Sequence, residues 1–157
     1  MADFVFNISK GRVAEYANRI NINDPTNSVF VIELINTSAT DATLKDLDDF
    51  AAVEADANTA ELTSGTNANY VRKTITDASG MTITTDDTND RVDVDIADQT
   101  WTALGAGTAI TDVVIGYDSD STTGADSAIK PCTQHDFAIT PDGSDVTATV
   151  NVFYRAS

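Results

Sequence analysis

Apolar residues along this chain alternate with polar ones, or run together in short β-branched stretches, more often than they recur at helical spacing. Phe4, Phe6 and Ile8 alternate with Val5 and Asn7, which predicts a short strand or an extended arm. Val29 to Ile35 is nearly all apolar and mostly β-branched, the pattern of a central strand covered on both faces. Tyr70 to Thr76 reads as another strand. Residues 81–85 and 91–96 alternate cleanly across the Asp86–Asp90 loop, with Val92, Val94 and Ile96 facing inward and Arg91, Asp93 and Asp95 facing water: a half-exposed hairpin. Ile110 to Tyr117 is a second buried-type strand. Residues 137–139 and 146–150 flank Thr140-Pro-Asp-Gly-Ser-Asp145, where Pro141 presets φ and Gly143 supplies a positive one, so a second hairpin is expected there. The last strand places Val150, Val152 and Tyr154 on one face.

Helical spacing is confined to the N-terminal half. Ser9 is positioned to cap a helix from Lys10 that carries Val13, Tyr16, Ala17 and Ile20, although Gly11 weakens it. Residues 23–27 are a turn by composition. The strongest helix spans 41–57, capped by Asp41 or Thr43, with Leu44, Leu47, Phe50 and Ala51 on one stripe and Asp46, Asp48 and Asp49 near its positive end. Residues 58–69 are Thr/Ser/Asn/Gly-rich and read as a loop. Seven or eight strands with one or two short helices make a mainly β fold, a single-domain antiparallel sandwich or partly open barrel. Residues 1–20 form an N-terminal arm or helix that docks, and 21–157 a single β-rich domain.

Composition agrees with that class. Of 25 acidic residues 21 are Asp, which favours caps and turns over helix interiors. A chain of 157 residues buries about 70 % of its unfolded surface, so the core needs no metal or disulfide. With one cysteine, Cys132, no intrachain disulfide forms. The net charge of −16 and nine scattered basic residues exclude the cationic footprint of a nucleic-acid binder and disfavour an anionic membrane. Residues 1–20 carry Lys10, Arg12 and Arg19 against Asp3 and Glu15, a net +1, which leaves −17 on the remainder. That segment is where an acidic partner, or the acidic body of a neighbouring copy, would dock. No secretory leader pattern or membrane-length apolar run is present, so a soluble protein made in the cytosol is expected.

Reactive constellations are weak. His135-Asp136 with nearby serines permits a Ser-His-Asp triad on paper, but no G-x-S-x-G elbow accompanies it. Asp118, Asp120, Gly124 and Asp126 imitate a calcium loop, yet the sixth position is Thr123 and the twelfth Ile129. Asp86, Asp87 and Asp90 form a second acidic loop. Glu33 interrupts the most apolar strand; it is either a buried acid with a raised pKa, able to act as a general acid, or, the favoured reading, an acid that faces a wet edge or pairs with a base such as Arg72 or Lys73. Cys132 lacks an activating partner beyond Lys130 and His135, and packing is the expected role. Gly105-Ala-Gly107 matches no phosphate-binding pattern. Trp101 is a core or rim anchor. No catalytic residue, cofactor or metal is assigned.

The opening Met1-Ala-Asp-Phe-Val-Phe-Asn-Ile-Ser-Lys-Gly-Arg-Val-Ala-Glu-Tyr16, Asn23 to Ser28, Asp86 to Arg91, Asp98-Gln-Thr-Trp-Thr102, Tyr117 to Asp120, His135 to Ala138, Thr140 to Asp145 and Tyr154-Arg-Ala-Ser157 resemble small virion structural proteins of tailed bacteriophages, over most of the chain. The resemblance implies a virion component made in the host cytoplasm, placed on the head exterior, and no catalytic residues. The expectation is a capsid decoration (cement) protein, with a tail, neck or fibre component as the alternative. Its partners would be the major capsid protein or other virion proteins and further copies of itself, a trimer suiting a three-fold site; neither nucleic acid nor membrane is a partner. The interface would comprise Phe4, Phe6, Ile8, Lys10, Arg12 and Arg19, and removal of residues 1–10 would abolish docking and leave the body folded.

Overall fold

The computed structural model describes residues 2–76 and 80–157. It is mainly β, with eleven strands and three α-helices among the described residues, all three helices in the N-terminal half. The principal sheet runs β1 (Phe4–Val5), β9 (Lys130–Ile139), β8 (Ile110–Asp118), β2 (Val29–Thr37) and β3 (Thr59–Glu61), and β4 (Lys73–Ile75) shares the outer edge of β2 with β3. Every pairing is antiparallel. A smaller sheet orders β11 (Tyr154–Ala156), β6 (Arg91–Ile96) and β5 (Met81–Asp86), and β10 (Val146–Ala148) pairs with β7 (Gln99–Trp101). The sheets do not close into a barrel.

Both faces of the principal sheet are covered, which is why β2 and β8 are apolar on both sides. Phe30, Ile32 and Leu34 of β2, with Ile115 and Tyr117 of β8, pack toward α1 (Val13–Ile22) and the smaller sheets. Tyr16 of α1 stacks on Tyr117 with ring centroids 4.3 Å apart. The alternate residues Val29, Val31, Ile35 and Val114 meet Phe4, Phe6, Leu44, Phe50 and Val53 on the opposite face. The result is a three-layered, sandwich-like domain.

Several expectations change in detail. The helix expected over 41–57 is two, α2 (Asp41–Lys45) and α3 (Phe50–Ala55). Asp49 is extended, and its carboxylate accepts from the Ala52 amide at 2.8 Å; a short acidic side chain capping a new helix outcompetes continuation of the old one. Thr40, not Asp41 or Thr43, caps α2. The helix expected from Lys10 starts at Val13, and Ser9 is instead buried, donating its hydroxyl to Pro131 O at 2.6 Å. Ile8 lies in a 3-10 turn over Asn7–Ser9, not in a strand. The 58–69 loop contains β3, and of 70–76 only β4 is strand. The 81–96 hairpin forms as expected, with Asp86 opposite Arg91 and Met81 opposite Ile96. The second hairpin does not form: β10 pairs with β7, and the 140–145 turn bonds to Leu104 through Gly143 N–H and Ser144 O, both at 3.0 Å. The last strand is only β11, and Phe153 just before it is the buried residue, edge-on to Phe30. Asp77, Ala78 and Ser79, between two expected strands, lie outside the described residues.

The described part of the N-terminal segment packs into the body. Phe6 has no exposed surface and Phe4 is 9 % exposed, and β1 pairs with β9 through Phe4–Gln134 and Val5–Thr133. The apolar alternation that resembled a free strand is the edge of the sheet and part of one core, so the division at residue 20 is replaced by one continuous body.

Candidate functional site

The six residues expected to form an interface separate into two groups. Phe4 and Phe6 are core residues, and Ile8 packs, partly buried, against that same core. Lys10, Arg12 and Arg19 are exposed. Arg19 pairs with Glu15 one helical turn earlier at 2.7 Å. Lys10 instead helps to line an open cleft of about 430 Å³ with Phe4, Val5, Lys45, Tyr154 and Arg155. The cleft lies where β1 ends one sheet and β11 ends another. Lys45 sits over the Phe4 ring, 4.9 Å from its centroid. Arg155 is held by Asp93, with hydrogen bonds of 2.6 and 2.9 Å. Among the described residues no carboxylate pairs with Lys10 or Lys45. A concavity edged by two unneutralised ammonium groups on a chain of net charge −16 is the most distinctive surface feature.

Glu33 is the most distinctive buried group. β4 covers Phe30–Ile32 of β2 and β3 covers Ile35–Thr37, so Glu33 faces the gap between them. The chain on either side of that gap fills it. Tyr70 Oη accepts from Leu34 N–H at 3.1 Å, replacing a ladder bond, and donates to Glu61 at 2.7 Å. The Arg72 guanidinium reaches Glu61 through two hydrogen bonds of 2.7 and 2.8 Å, lies 3.4 Å from Glu33, and contacts Glu54 of α3 and Asp126. Glu33, Glu54 and Glu61 bring carboxylate oxygens within 4.8 Å of one another, a spacing suited to a cation; the cation present is Arg72. Full burial, and then the field of Glu61, raise the Glu33 pKa well above the ordinary carboxylate range despite Arg72, and neither carboxylate oxygen has a hydrogen-bond partner. Burial opposes the charge on Arg72, but the hydrogen bonds it donates to Glu61 and Asp126 and the field of Glu33 raise its pKa overall. Of the sequence readings of Glu33, the buried acid and the neighbour of Arg72 both hold, and the wet edge does not, since the residue has no exposed surface. Glu54, Glu61 and Tyr70 carried no signal and Asp126 a different one, that of an acidic loop, because the four converge from separate segments.

His135 is braced, and by Asp3 rather than by Asp136 or a serine. Its Nδ1 lies 3.2 Å from Asp3 Oδ2 and its Nε2 3.0 Å from Thr133 Oγ1. Asp3 also accepts the Asp136 amide at 2.9 Å. Burial alone would raise the Asp3 pKa, but that amide and His135 lower it overall. A cleft of about 270 Å³ beside His135 is lined by Phe137, Val150, Val152 and Phe153. The hydroxyl in nucleophile position belongs to Thr133, which is 1 % exposed and cannot approach an acyl carbon without the strand moving. The array ties β1 to β9.

Other sequence candidates are consumed locally. Asp118 accepts the Asp120 amide, Asp120 accepts the amide and hydroxyl of Thr122, and Asp126 goes to Arg72, so these carboxylates do not converge. Cys132 is fully buried, and burial pushes its thiol up to about 12. Trp101 is a core anchor whose indole N–H donates to Val71 O at 2.9 Å. Gly105 and Gly107 lie against the backbone of residues 66–68, where a Cβ has no room. Among the described residues no helix is long and apolar enough to cross a membrane. No family profile matches the chain, and neither does any curated protein or solved structure.

Proposed function

We propose that this protein is a structural component of a tailed-phage virion, a decoration protein that binds the outer surface of the head and stabilises the shell by fit rather than by a chemical step. The observation that carries the reading is the cationic cleft at the open sandwich edge of an otherwise anionic body. Opposed potentials of this kind fix register and orientation between protein surfaces. The segment-by-segment resemblance to small virion proteins supplies the setting, and the major capsid protein is the partner it suggests. The side chains with reactive potential support the same reading: Cys132 is sealed in the core, His135 is tied to Asp3 beside β1, and Arg72 is held by Glu54, Glu61 and Asp126. A stable contact of about 1,600 Å² per site is the size class required.

Cryo-microscopy of assembled particles tests this. Density for the chain repeated over the head lattice is expected. Density restricted to a ring or bundle at the neck or tail would move the protein to a connector or fibre role, and absence from particles would end the virion reading.

A further inference from the structure

We infer that the protein pairs with a second copy of itself, the Asp86–Asp90 hairpin tip of each copy entering the Lys10–Lys45 cleft of the other. This rests on the building-block reading and names a second copy as the occupant of the cationic cleft in the unassembled protein, a seat for which shell binding would have to compete. The tip and the cleft carry matched, unspent charge. Within the tip, Asp86 is engaged by Arg91 at 3.1 Å and by Asn89 at 2.7 Å, whereas Asp87 and Asp90 are exposed and form no ion pair among the described residues. Within the cleft, Arg155 is engaged by Asp93, whereas Lys10 and Lys45 are not paired. Two aspartates without an ion pair thus match two lysines without a carboxylate partner, one of which, Lys45, rests over the Phe4 ring.

The placement of the two features sets the symmetry. β11 lies against β6 with Arg155 opposite Asp93 and Ala156 opposite Val92, so the tip begins within about 10 Å of the cleft along the strand. A surface and its complement side by side on one molecule satisfy a two-fold axis, in which each copy gives and receives the same contact. Had they lain on opposite ends, a head-to-tail chain would follow instead. The cleft also exposes two sheet edges, β1 and β11, which a second copy would cover. The long-range repulsion between two strongly anionic bodies is screened over about 8 Å at physiological salt, while lysine–aspartate contacts inside a cleft are screened less.

Size exclusion with light scattering at about 0.15 M salt, where that screening operates, is the test. The wild type is expected at the mass of two chains. The charge-reversed Lys10→Glu/Lys45→Glu variant and the Asp87→Lys/Asp90→Lys variant are each expected at the mass of one, with unchanged far-UV circular dichroism to show folding. Mixing the two variants restores a dimer, because each then offers the charge the other lacks. A monomeric wild type, a dimer indifferent to both variants, a trimer, or no recovery on mixing overturns the pairing. A monomer in solution leaves the virion reading standing, and absence from particles removes that reading without touching the dimer.

Discussion

Glu33 is where one residue has most to say about stability. Its folded-state pKa lies above the ordinary value of 4.5. Well below that value both folded and unfolded chains hold the proton, and the group is neutral to stability-versus-pH. As pH rises past it the unfolded chain ionises while the folded one stays protonated, so Glu33's contribution falls until the raised pKa is reached. Glu33→Gln keeps the shape and removes the titration. Thermal melts should show the variant gaining on wild type as pH rises from about 4 towards neutrality, with a slope of up to about 1.4 kcal/mol per pH unit. A variant that loses ground over that range would mean that Arg72 keeps Glu33 ionised. The sequence marked Glu33 because an acid in a β-branched run is conspicuous, and it offered Arg72 as a partner. It could not mark Glu61 or Tyr70, nor join Asp126 of the acidic loop to Arg72, since these roles arise only when β3 and β4 share one edge of β2 and leave a gap between them.

At the scale of elements, packing decides where local pattern leaves alternatives. The 41–57 stretch has helical spacing throughout, yet it divides at Asp46–Asp49, and the second half, α3, lays Phe50 directly over Gly116 of β8. A Cβ at residue 116 would enter the Phe50 ring and crowd Ile129 at 2.8 Å. Gly116 has no positive φ, so the requirement is one of space alone. Gly116→Ala is expected to cost about 1–3 kcal/mol by overpacking. In a Phe50→Leu background the same change should cost less, and a double-mutant cycle in denaturant measures the difference. Equal costs in both backgrounds would show that α3 does not constrain β8. The strands were legible because period-two alternation reports burial directly, as in the 81–96 hairpin. Their partners were less so: Val146–Ala148 resembles half of a hairpin with β9, but the turn before it is claimed by Leu104, 39 residues away in sequence from Gly143.

For the molecule as a whole, the N-terminal segment joins the fold to its surface. Mainly β architecture, one domain and an anionic body were readable from composition and periodicity. The role of residues 1–10 was not, because an edge strand and a free arm have the same alternating pattern, and only the core beneath distinguishes them. Phe6 sits among Val31, Val114 and Phe50, and its amide donates to Cys132 O at 3.0 Å, so the segment closes the helix-covered face of the sheet. Deleting residues 2–9 should therefore lower the stability of the entire domain, with Phe6→Ala alone costing about 3–5 kcal/mol as a large core truncation. Urea unfolding followed by tryptophan fluorescence at Trp101, which lies on the other side of the principal sheet, reads whether that loss is global. A single transition shifted to lower urea is the expected result. A truncated protein with an unshifted transition would restore the arm as an independent docking segment. Because the same residues carry core and cleft, loss of shell binding on truncation would not distinguish docking from unfolding. Charge reversal at Lys10 does, since its ammonium is exposed, whereas reversal at Lys45, which sits over the core ring of Phe4, needs the same urea transition as a control.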